Sequence, residues 1–279
     1  MEMTAVEKII DGKKVSDYYA NILKEKIARL DKKLKLVVIQ VGNDEASNVY
    51  VNKKRLMCQM VGIDFLHIKY KDILEDELIE KIKKLNEDDS VTGILVQFPL
   101  PKNINEQNII SAISPLKDVD GLTSTNFGNL YTNNKSIIPC TALGIIKLLE
   151  YYNIELDGKK VVLVGSSKLV GIPLIKLFLD RKCSVSICNI YTKDVKSYTK
   201  DADIIVSATG VKGIIKEDMI KDDSILIDVG IIRENNHLYG DVDSSCYLKC
   251  NMYTPVPQGV GPMTVVMLMA NVLECYLNK

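Results

Sequence analysis

The chain is organised around a hydrophobic run, Val-Val-Leu-Val at residues 161–164, which ends at Gly165. Four apolar, mostly β-branched residues in succession indicate a strand that is buried on both faces, as at the centre of a parallel sheet. A second apolar run at residues 174–179 is long enough for a helix, and Pro173 suits the first turn of that helix. The stretch therefore predicts a strand, a glycine turn and a helix in direct succession.

Strand-like and helix-like patterns alternate on both sides of this stretch. Before it, apolar runs predict strands at 34–41, 64–70 and 93–101, and helical spacing predicts helices at 16–30, 47–61, 75–86, 105–112 and 145–152. After it we predict strands at 184–188, 202–208 and 224–230, and a largely apolar, buried helix at 263–276. Alternation of this kind is typical of βαβ units and parallel sheets. The pattern therefore predicts an α/β protein.

Polar and glycine residues predict where several elements begin and end. Asp-Gly-Lys at 11–13 indicates a turn, and Ser16 and Ser47 are candidate N-caps of the helices that follow them. Residues 126–134 are rich in polar, turn-forming types, and residues 251–261 are rich in proline and glycine. We expect both of these segments to be irregular.

Length and charge limit the classes of function. A chain of 279 residues suffices for two domains with cores of their own, and 36 basic against 36 acidic residues give a net charge of zero. This balance offers no electrostatic case for binding nucleic acid or an anionic membrane. No apolar run approaches the roughly 20 residues that span a bilayer, and residues 1–8 lack the plan of a signal peptide. We therefore expect a cytoplasmic protein.

The cysteines and histidines argue against several kinds of site. The seven cysteines include no Cys-x-x-Cys pair, so we expect reduced thiols and predict neither a disulfide framework nor a metal site. A serine hydrolase needs a histidine that meets a serine and an acid, and neither His67 nor His237 has such a context. We expect His67 to lie in a strand and His237 to be exposed to solvent.

Gly165 and Gly171 bracket a turn of the kind that binds phosphate. The N–H groups and the dipole of a helix N-terminus favour an anion there, and we interpret this anion as the diphosphate of a dinucleotide. Ser167 stands where the second glycine of the usual fingerprint is expected, and Ile172-Pro173 disfavours the loop of the nucleotide hydrolases. An ordinary tight connection between strand and helix is the alternative.

Tyr50 and Lys54 are candidate catalytic residues on one predicted helix. They are four residues apart and therefore share a face. A lysine that is partly desolvated and has a partner can transfer protons near neutral pH. The alternative is a solvated basic face, because Lys53 and Arg55 flank Lys54.

Gln97, Asp118 and Asp120 are further candidates. Gln97 ends an apolar strand, so its amide must form hydrogen bonds either to the protein or to a ligand, and both alternatives stay open. Asp118 and Asp120 are spaced for opposite faces of an extended segment, so that one can pair locally while the other binds donor groups of a ligand. Nothing singles out a second acid for hydrolysis by paired carboxylates.

These motifs occur in a single order along nearly the whole chain: Tyr50 with Lys54, then residues 93–101, 117–121, 165–173 and 255–264. In this order they resemble the bifunctional methylenetetrahydrofolate dehydrogenase/methenyltetrahydrofolate cyclohydrolase (FolD) family. The resemblance implies two α/β domains that flank a cleft. Residues 1–138 with 262–279 would bind folate, and residues 139–261 would form a Rossmann-like, doubly wound nicotinamide domain.

The resemblance also implies the chemistry. Methylenetetrahydrofolate would be oxidised to methenyltetrahydrofolate with NADP or NAD, and the product would be hydrolysed to 10-formyltetrahydrofolate. Such an enzyme serves one-carbon metabolism and purine biosynthesis, and the family suggests a homodimer. A monofunctional dehydrogenase and a non-catalytic folate- or nucleotide-binding module are the alternatives.

The resemblance further implies roles for individual residues. Lys54 is central to the hydrolysis, Gln97 works with it, Tyr50 stacks on the folate, and Asp120 binds the pterin ring. Further substrate contacts are implied for Val96, Phe98, Pro257, Gly261, Pro262 and Thr264. Cofactor contacts are implied for Gly165, Ser166, Ser167, Val170, Gly171, Thr192, Thr209, Gly210 and Ile231.

The chain departs from the family pattern in two loops. Gln258 replaces the first of two glycines that follow Pro-Val-Pro, which places a side chain in a loop near the folate. Ser166 stands where the family often has arginine, and Ile190 and Tyr191 follow the next strand where it often has His-Ser-Arg. Those groups hold the phosphate that distinguishes NADP from NAD, and the acid that usually marks NAD is missing too. We expect NADP from the family alone, and Lys168 and Lys193 are candidates to replace the missing groups.

Overall fold

A computed structural model describes residues 8–235 and 237–278. The described chain divides into two compact units. Unit 1 contains residues 8–16 and 141–264, and unit 2 contains residues 17–140 and 265–278. Both units combine parallel strands with helices, which confirms the predicted α/β class.

Unit 2 is built on a three-stranded parallel sheet in the order β2-β1-β3. Its strands are β1 (Lys35–Val41), β2 (Asp64–Tyr70) and β3 (Gly93–Gln97). Its helices are α2 (Glu45–Val61), α3 (Glu75–Glu87), α4 (Glu106–Ala112), α5 (Ser124–Tyr131) and most of α1 (Gly12–Ala28) and α10 (Val260–Leu277). Val37 and Ile39 of the central strand pack in one core cluster with Leu78 and Ile82 of α3.

Unit 1 is built on a five-stranded parallel sheet in the order β10-β7-β6-β4-β5. Its strands are β4 (Lys160–Val164), β5 (Ser184–Cys188), β6 (Ile204–Ser207), β7 (Ile225–Asp228) and β10 (Met252–Tyr253), with a separate antiparallel hairpin of β8 (Ile232–Glu234) and β9 (His237–Tyr239). Its helices are α6 (Cys140–Tyr151), α7 (Gly171–Leu179), α8 (Lys196–Thr199), α9 (Cys246–Lys249) and a 3-10 turn at Glu217–Met219.

The strand order of unit 1 reverses between β4 and β6. The chain leaves β4, adds β5 on one side of it, and then returns to add β6 on the other side. In open α/β sheets ligands bind at the carboxyl ends of the strands, at the point where the order reverses. This edge therefore contains the predicted glycine turn, because Gly165 directly follows β4.

Several predicted helix starts are too late. α6 begins at Cys140 rather than at residue 145, and in α1 and α2 an aspartate caps the helix earlier than the predicted serine. α1 begins at Gly12 because Asp11 Oδ1 accepts a 3.0 Å hydrogen bond from the backbone N–H of Lys14. α2 begins at Glu45 because Asp44 accepts a 2.7 Å hydrogen bond from the N–H of Ser47. The carboxylates thus form the capping bonds that the sequence pattern assigned to later serines.

Two segments that we predicted to be irregular contain regular structure. Residues 124–131 form α5, because Thr123 caps its first turn by accepting from the N–H of Asn126. Within residues 251–261, Met252–Tyr253 pair with β7 as β10, and α10 begins at Val260. The histidine predictions are confirmed, since His67 lies in β2 and His237 is exposed in β9.

The last helix, α10, is long and apolar enough to cross a membrane by length and composition alone. The sequence prediction that no such run exists is therefore wrong. In the structure 61% of this 18-residue window is buried, and side chains such as Val266, Met269 and Val272 are fully buried. This burial agrees with the predicted core helix, because a core helix passes the same test of length and composition.

Candidate active site

A lysine and a glutamine meet at the carboxyl end of β3 in unit 2. Lys54, in the middle of α2, donates a 2.8 Å hydrogen bond from Nζ to Oε1 of Gln97, the last residue of β3. The amide nitrogen of Gln97 donates a 2.8 Å bond to the carbonyl oxygen of Phe98. Because its nitrogen is engaged with the backbone, the Gln97 amide presents its oxygen to the lysine.

Asp118 and Asp120 have different surroundings, although only one residue separates them in the sequence. The buried Asp118 carboxylate accepts hydrogen bonds from the N–H groups of Gly121 and Thr123 and from the side-chain amide of Asn126. Asp120 accepts a weak bond from the Cys140 thiol, with Sγ 3.5 Å from Oδ1. Asp118 therefore holds the loop together, and Asp120 is the carboxylate that retains capacity to accept hydrogen bonds from a ligand.

Burial governs the charges of this group. Desolvation lowers the pKa of Lys54, while the negative charge of Asp120 opposes that change. Desolvation raises the pKa of Asp120, while the positive charge of Lys54 opposes that change. Burial also raises the pKa of the neighbouring Cys58 to about 12, so its thiol stays protonated at neutral pH. Lys54 is thus closer to losing its proton than a solvated lysine, which suits proton transfer.

The other predicted substrate residues of unit 2 differ in how far their side chains are exposed to solvent. Tyr50 is half-buried on α2, and burial raises the pKa of its phenol. The ammonium of Lys53, rather than that of Lys54, lies over its ring, 5.3 Å from the centroid. The side chain of Val96 is buried in the core cluster, whereas Phe98 is partly exposed just beyond β3. A ligand would therefore contact Val96 through its backbone.

Asn271 on α10 is a polar residue that the sequence analysis missed. Its side chain is 2% exposed, and its amide nitrogen donates to the carbonyl oxygens of Val119 (2.8 Å) and Ile138 (2.9 Å). The same nitrogen lies 3.3 Å from Sγ of Cys140, the thiol that contacts Asp120. Asn271 therefore holds together the two chain segments that position Asp120. The signal in the sequence is an asparagine within a largely apolar helix.

The predicted cofactor residues of unit 1 collect at one edge of its sheet. Gly165 follows β4, Thr192 lies four residues beyond β5, Thr209 and Gly210 follow β6, and Ile231 follows β7. Because these strands are parallel, their carboxyl ends lie at the same edge. Ile231 is 44% exposed there, and Ser166 and Ser167 are exposed in the turn before α7.

Two glycines of this edge are required by close backbone approach. Gly165 has a φ of +116°, and a Cβ on it would lie 2.4 Å from the carbonyl oxygen of Ala208. A Cβ on Gly171 would lie 2.1 Å from the carbonyl oxygen of Gly165. A tight glycine turn at a helix N-terminus, with no side chain over the backbone, fits the diphosphate of a dinucleotide.

Comparison with known families agrees with both candidate sites, the group around Lys54 in unit 2 and the glycine turn of unit 1. Residues 10–120 match the catalytic domain of tetrahydrofolate dehydrogenase/cyclohydrolase, and residues 139–279 match the NAD(P)-binding domain of the same enzymes. The chain belongs to the tetrahydrofolate dehydrogenase/cyclohydrolase family. The resemblance to this family and the predicted two-domain α/β class are thereby confirmed.

Relatives match this family member over nearly its whole length. A bifunctional FolD protein of Hydrogenobaculum is 47% identical over 97% of the chain and 99% of its own length. The crystal structure of a bifunctional FolD enzyme from Campylobacter jejuni is 41% identical, with a TM-score of 0.95 over 97% of this chain and 98% of that one. A Trypanosoma brucei FolD structure with NADP and an inhibitor is 30% identical, with a TM-score of 0.92 over 97% of each chain.

The family's two domains divide the candidate residues. Lys54, Gln97 and Asp120 lie within the catalytic-domain match, and the glycine turn with the other edge residues lies within the NAD(P)-binding match. All seven cysteines of this family member are buried, and none is in a disulfide bond. The candidate proton-transfer side chains and the candidate nucleotide-binding edge thus lie in different domains of the family.

The turn after β5 is where this protein departs from the family pattern, at the predicted binding position for the adenosine end of the cofactor. The side chains of Asn189 and Thr192 close the turn by accepting hydrogen bonds from the N–H groups of Tyr191 and Asn189. Ile190 and Tyr191 are 92% and 88% exposed. An exposed apolar pair therefore stands where the family pattern often has cationic and polar groups.

The segment 255–264 packs within unit 1 against the start of α1. The carbonyl oxygen of Gln258 accepts a 3.1 Å hydrogen bond from the N–H of Lys13, and that of Pro262 accepts from the Ser16 hydroxyl. The Thr264 hydroxyl lies 3.1 Å from that of Thr141, and Pro257 is exposed while Gly261 is partly buried. Gln258 has a φ of +82°, the left-handed backbone that glycine adopts without strain.

Proposed function

We propose that this protein oxidises 5,10-methylenetetrahydrofolate to 5,10-methenyltetrahydrofolate and then hydrolyses the product to 10-formyltetrahydrofolate. The observation that carries the proposal is the half-buried Lys54, hydrogen-bonded to Gln97 and under the electrostatic influence of Asp120, in a chain of the dehydrogenase/cyclohydrolase family. The intact proton-transfer group favours a bifunctional enzyme over a monofunctional dehydrogenase. It also argues against a non-catalytic binding module.

For the oxidation, we assign the cofactor to the carboxyl edge of the five-stranded sheet. The diphosphate would lie on the turn of Gly165, Ser166 and Ser167 and at the start of α7, with Val170 and Gly171. Thr192, Thr209, Gly210 and Ile231 would line the rest. When bound, the nicotinamide ring accepts the hydride that leaves the methylene carbon. The two nitrogens beside that carbon stabilise the resulting cation, so the protein has only to align the reactants.

For the hydrolysis, we assign proton transfer to Lys54. A water molecule adds to the methenyl carbon, forming a C–O bond, and gives up a proton to Nζ of Lys54 in its neutral form. The bond from that carbon to one ring nitrogen then breaks as the C=O bond of the formyl group forms. The hydroxyl proton is released to solvent, and the departing nitrogen takes the proton that Lys54 holds. Burial favours the neutral amine, and Oε1 of Gln97 holds Nζ in place by accepting its hydrogen bond.

Substrate recognition would use the remaining predicted residues. We assign the pterin ring to Asp120, whose carboxylate suits the N–H donors of a pterin, and stacking to Tyr50. Val96 and Phe98 would add contacts at the end of β3. The family resemblance supports further contacts from Pro257, Gly261, Pro262 and Thr264. It also supports a functional division into residues 1–138 with 262–279 for folate and 139–261 for the nucleotide.

NADP is our proposed cofactor, and NAD is the alternative. The NADP complex of the Trypanosoma brucei relative supports NADP. No acid directly follows β5, where the residues are Asn189, Ile190 and Tyr191, so the usual partner of the NAD ribose is missing. Lys193 is an exposed cation near the end of this turn and offers a charge for the NADP phosphate.

We further infer that the protein works as a cytoplasmic homodimer and supplies formyl groups to purine biosynthesis. Its net charge of zero supports the absence of nucleic acid and membrane partners. Light scattering on the purified protein tests the dimer, which predicts about twice the chain mass of 31.2 kDa.

The proposal is tested by following absorbance during turnover of methylenetetrahydrofolate with NADP and, separately, with NAD. Methenyltetrahydrofolate that forms and then disappears faster than in buffer is the expected result. Product that decays only at the buffer rate would leave a monofunctional dehydrogenase. Absence of turnover with both cofactors would leave a binding module.

A further inference from the structure

Two buried aspartates lie beside the cofactor edge of unit 1 and have no role in the chemistry proposed above. Asp228 is the last residue of β7, and Asp241 follows β9. Their exposed fractions are 2% and 0%. Buried carboxylates are costly unless hydrogen bonds compensate them, so their partners indicate what they do.

The Asp241 carboxylate is surrounded by donors from the end of β6 and the turn that follows it. Oδ2 accepts from the Ser207 hydroxyl (2.8 Å) and from both the N–H and the hydroxyl of Thr209 (2.6 and 2.9 Å). Oδ1 accepts from the N–H of Val211 at 3.1 Å. One side chain therefore fixes the backbone on both sides of Gly210, which has a φ of +69°.

Asp228 in turn holds Asp241 in position. Its two oxygens accept 2.9 Å hydrogen bonds from the N–H groups of Asp241 and Val242, and a further bond comes from the N–H of Gly230. These bonds close the base of the β8–β9 hairpin on the end of β7. They also fix the backbone next to Ile231.

Two glycines show how tightly the carboxylates fit against the backbone. A Cβ on Gly230 would lie 1.8 Å from Oδ1 of Asp241, and a Cβ on Gly240 would lie 1.8 Å from Oδ2 of Asp228. The Asp241 carboxylate thus lies against the backbone that follows Asp228, and the Asp228 carboxylate lies against the backbone that precedes Asp241. Both approaches are so close that only glycine fits. This arrangement leaves Asp241 little freedom to adopt another position.

We propose that Asp241, held by Asp228, is a positioning residue for the dehydrogenase step that fixes the Thr209–Val211 turn and the Gly230–Ile231 turn for the cofactor. The inference rests on the proposed function, because Thr209, Gly210 and Ile231 are its assigned cofactor contacts. Asp241 acts through these turns and does not touch the cofactor. Loops that are fixed before binding lose less conformational entropy when the ligand arrives, so the pair raises cofactor affinity.

Asp241→Asn tests this positioning role. The amide NH₂ would replace one acceptor oxygen and face N–H or O–H donors, so the Thr209–Val211 turn would lose its fixed conformation. We expect the KM for NADP in the dehydrogenase assay to rise about tenfold or more, corresponding to about 1.4 kcal/mol. We expect hydrolysis of methenyltetrahydrofolate, assigned to unit 2, to stay at the wild-type rate. A purely structural role would lower both activities together.

Asp243→Asn is the matched control, because it makes the same chemical change two residues away on an exposed side chain. We expect it to leave the KM for NADP unchanged. Ser207→Ala is a second variant that removes one donor to Asp241 and keeps the carboxylate, and we expect it to raise the KM two- to fivefold.

The outcomes separate this proposal from the proposed function. A wild-type protein without dehydrogenase turnover would refute the function itself. With an active wild type, an unchanged KM for NADP in Asp241→Asn would overturn the positioning role. If Asp241→Asn loses both activities, Ser207→Ala decides: a raised KM with normal hydrolysis supports the role, and an unchanged KM overturns it.

Discussion

Lys54 Nζ donates its hydrogen bond to Oε1 of Gln97, and the Gln97 amide nitrogen is engaged by the carbonyl oxygen of Phe98. The orientation of the glutamine is therefore set by the backbone. The Gln97 oxygen is a neutral acceptor, so it fixes the position of the Lys54 amine without adding a negative charge. A negative charge there would raise the pKa of Lys54 and favour the protonated form. This relationship underlies the predictions for Lys54→Gln and Gln97→Glu.

Lys54→Gln should abolish hydrolysis while the oxidation continues. The amide cannot accept a proton from water, and loss of general acid–base catalysis typically costs 10²- to 10⁴-fold in rate. We expect methenyltetrahydrofolate to accumulate and then decay at the buffer rate, which absorbance will follow. Lys53→Gln is the matched control, since Lys53 is exposed over the Tyr50 ring, and it should hydrolyse at a near-normal rate. Near-normal hydrolysis by Lys54→Gln itself would contradict the assignment.

Gln97→Glu should shift the pH dependence of hydrolysis to higher pH. A carboxylate next to Nζ favours the charged amine, so the pKa of Lys54 rises and the neutral base forms only at higher pH. The rate of methenyltetrahydrofolate hydrolysis, measured against pH after subtraction of the buffer rate, reports this shift. Gln107→Glu, which adds the same charge to exposed α4, serves as the control. An unshifted profile in Gln97→Glu would argue that Lys54 is not the titrating base.

Gln258→Gly should stabilise the protein. At a φ of +82° a side chain strains the folded backbone by roughly 1–2 kcal/mol, and glycine removes this strain. Glycine also gives the unfolded chain more conformational entropy, which offsets the gain in stability by up to about 1 kcal/mol. We expect the free energy of unfolding to rise by roughly 0.5–1 kcal/mol in a denaturant titration.

Gln59→Gly is the control for that experiment, because Gln59 is an exposed residue of α2. In the helix the same substitution should destabilise by roughly 0.5–1 kcal/mol. If both variants lose stability to a similar extent, the backbone at Gln258 is not strained.

The sequence predicts much of the fold because its hydrophobic runs are short, continuous and well separated. β4 covers the predicted run 161–164 and adds Lys160, and β2 spans the predicted residues 64–70. The errors lie where a single side-chain hydrogen bond determines where a helix begins. Asp44 takes the capping role from Ser47, and Thr123 starts a helix in a segment that looks like turn.

The candidate sites are less accessible to sequence reasoning because their hydrogen bonds join residues far apart in the chain. Spacing places Asp118 and Asp120 on opposite faces but cannot assign the locally bonded one, which depends on Asn126. Asn271 bonds to Val119, 152 residues away, and therefore leaves no local pattern. Asp241 is hidden for the same reason, since its partners follow another strand.

Asp228 makes a prediction about stability and pH. Desolvation, together with the nearby negative charge of Asp241, raises the pKa of Asp228 from 3.8 to about 7, although backbone N–H groups oppose the change. The Tyr247 phenol also faces this group, and it stays neutral over this range because its own pKa is raised. Between pH 4 and 7 the folded protein therefore holds a proton that the unfolded chain has released.

The sign follows from that proton. The contribution of Asp228 to the free energy of unfolding is fully present below pH 3.8 and is lost as pH rises through about 7. The limiting slope of this loss is about 1.4 kcal/mol per pH unit. Asp228→Asn removes the titrating group, so urea titrations from pH 4 to 7 should show a smaller fall in the free energy of unfolding. The control, Asp243→Asn, should keep the wild-type slope, because hydrogen bonds lower the pKa of Asp243 below this range. An equal slope in Asp228→Asn and wild type would mean that Asp228 is ionised in the folded protein throughout.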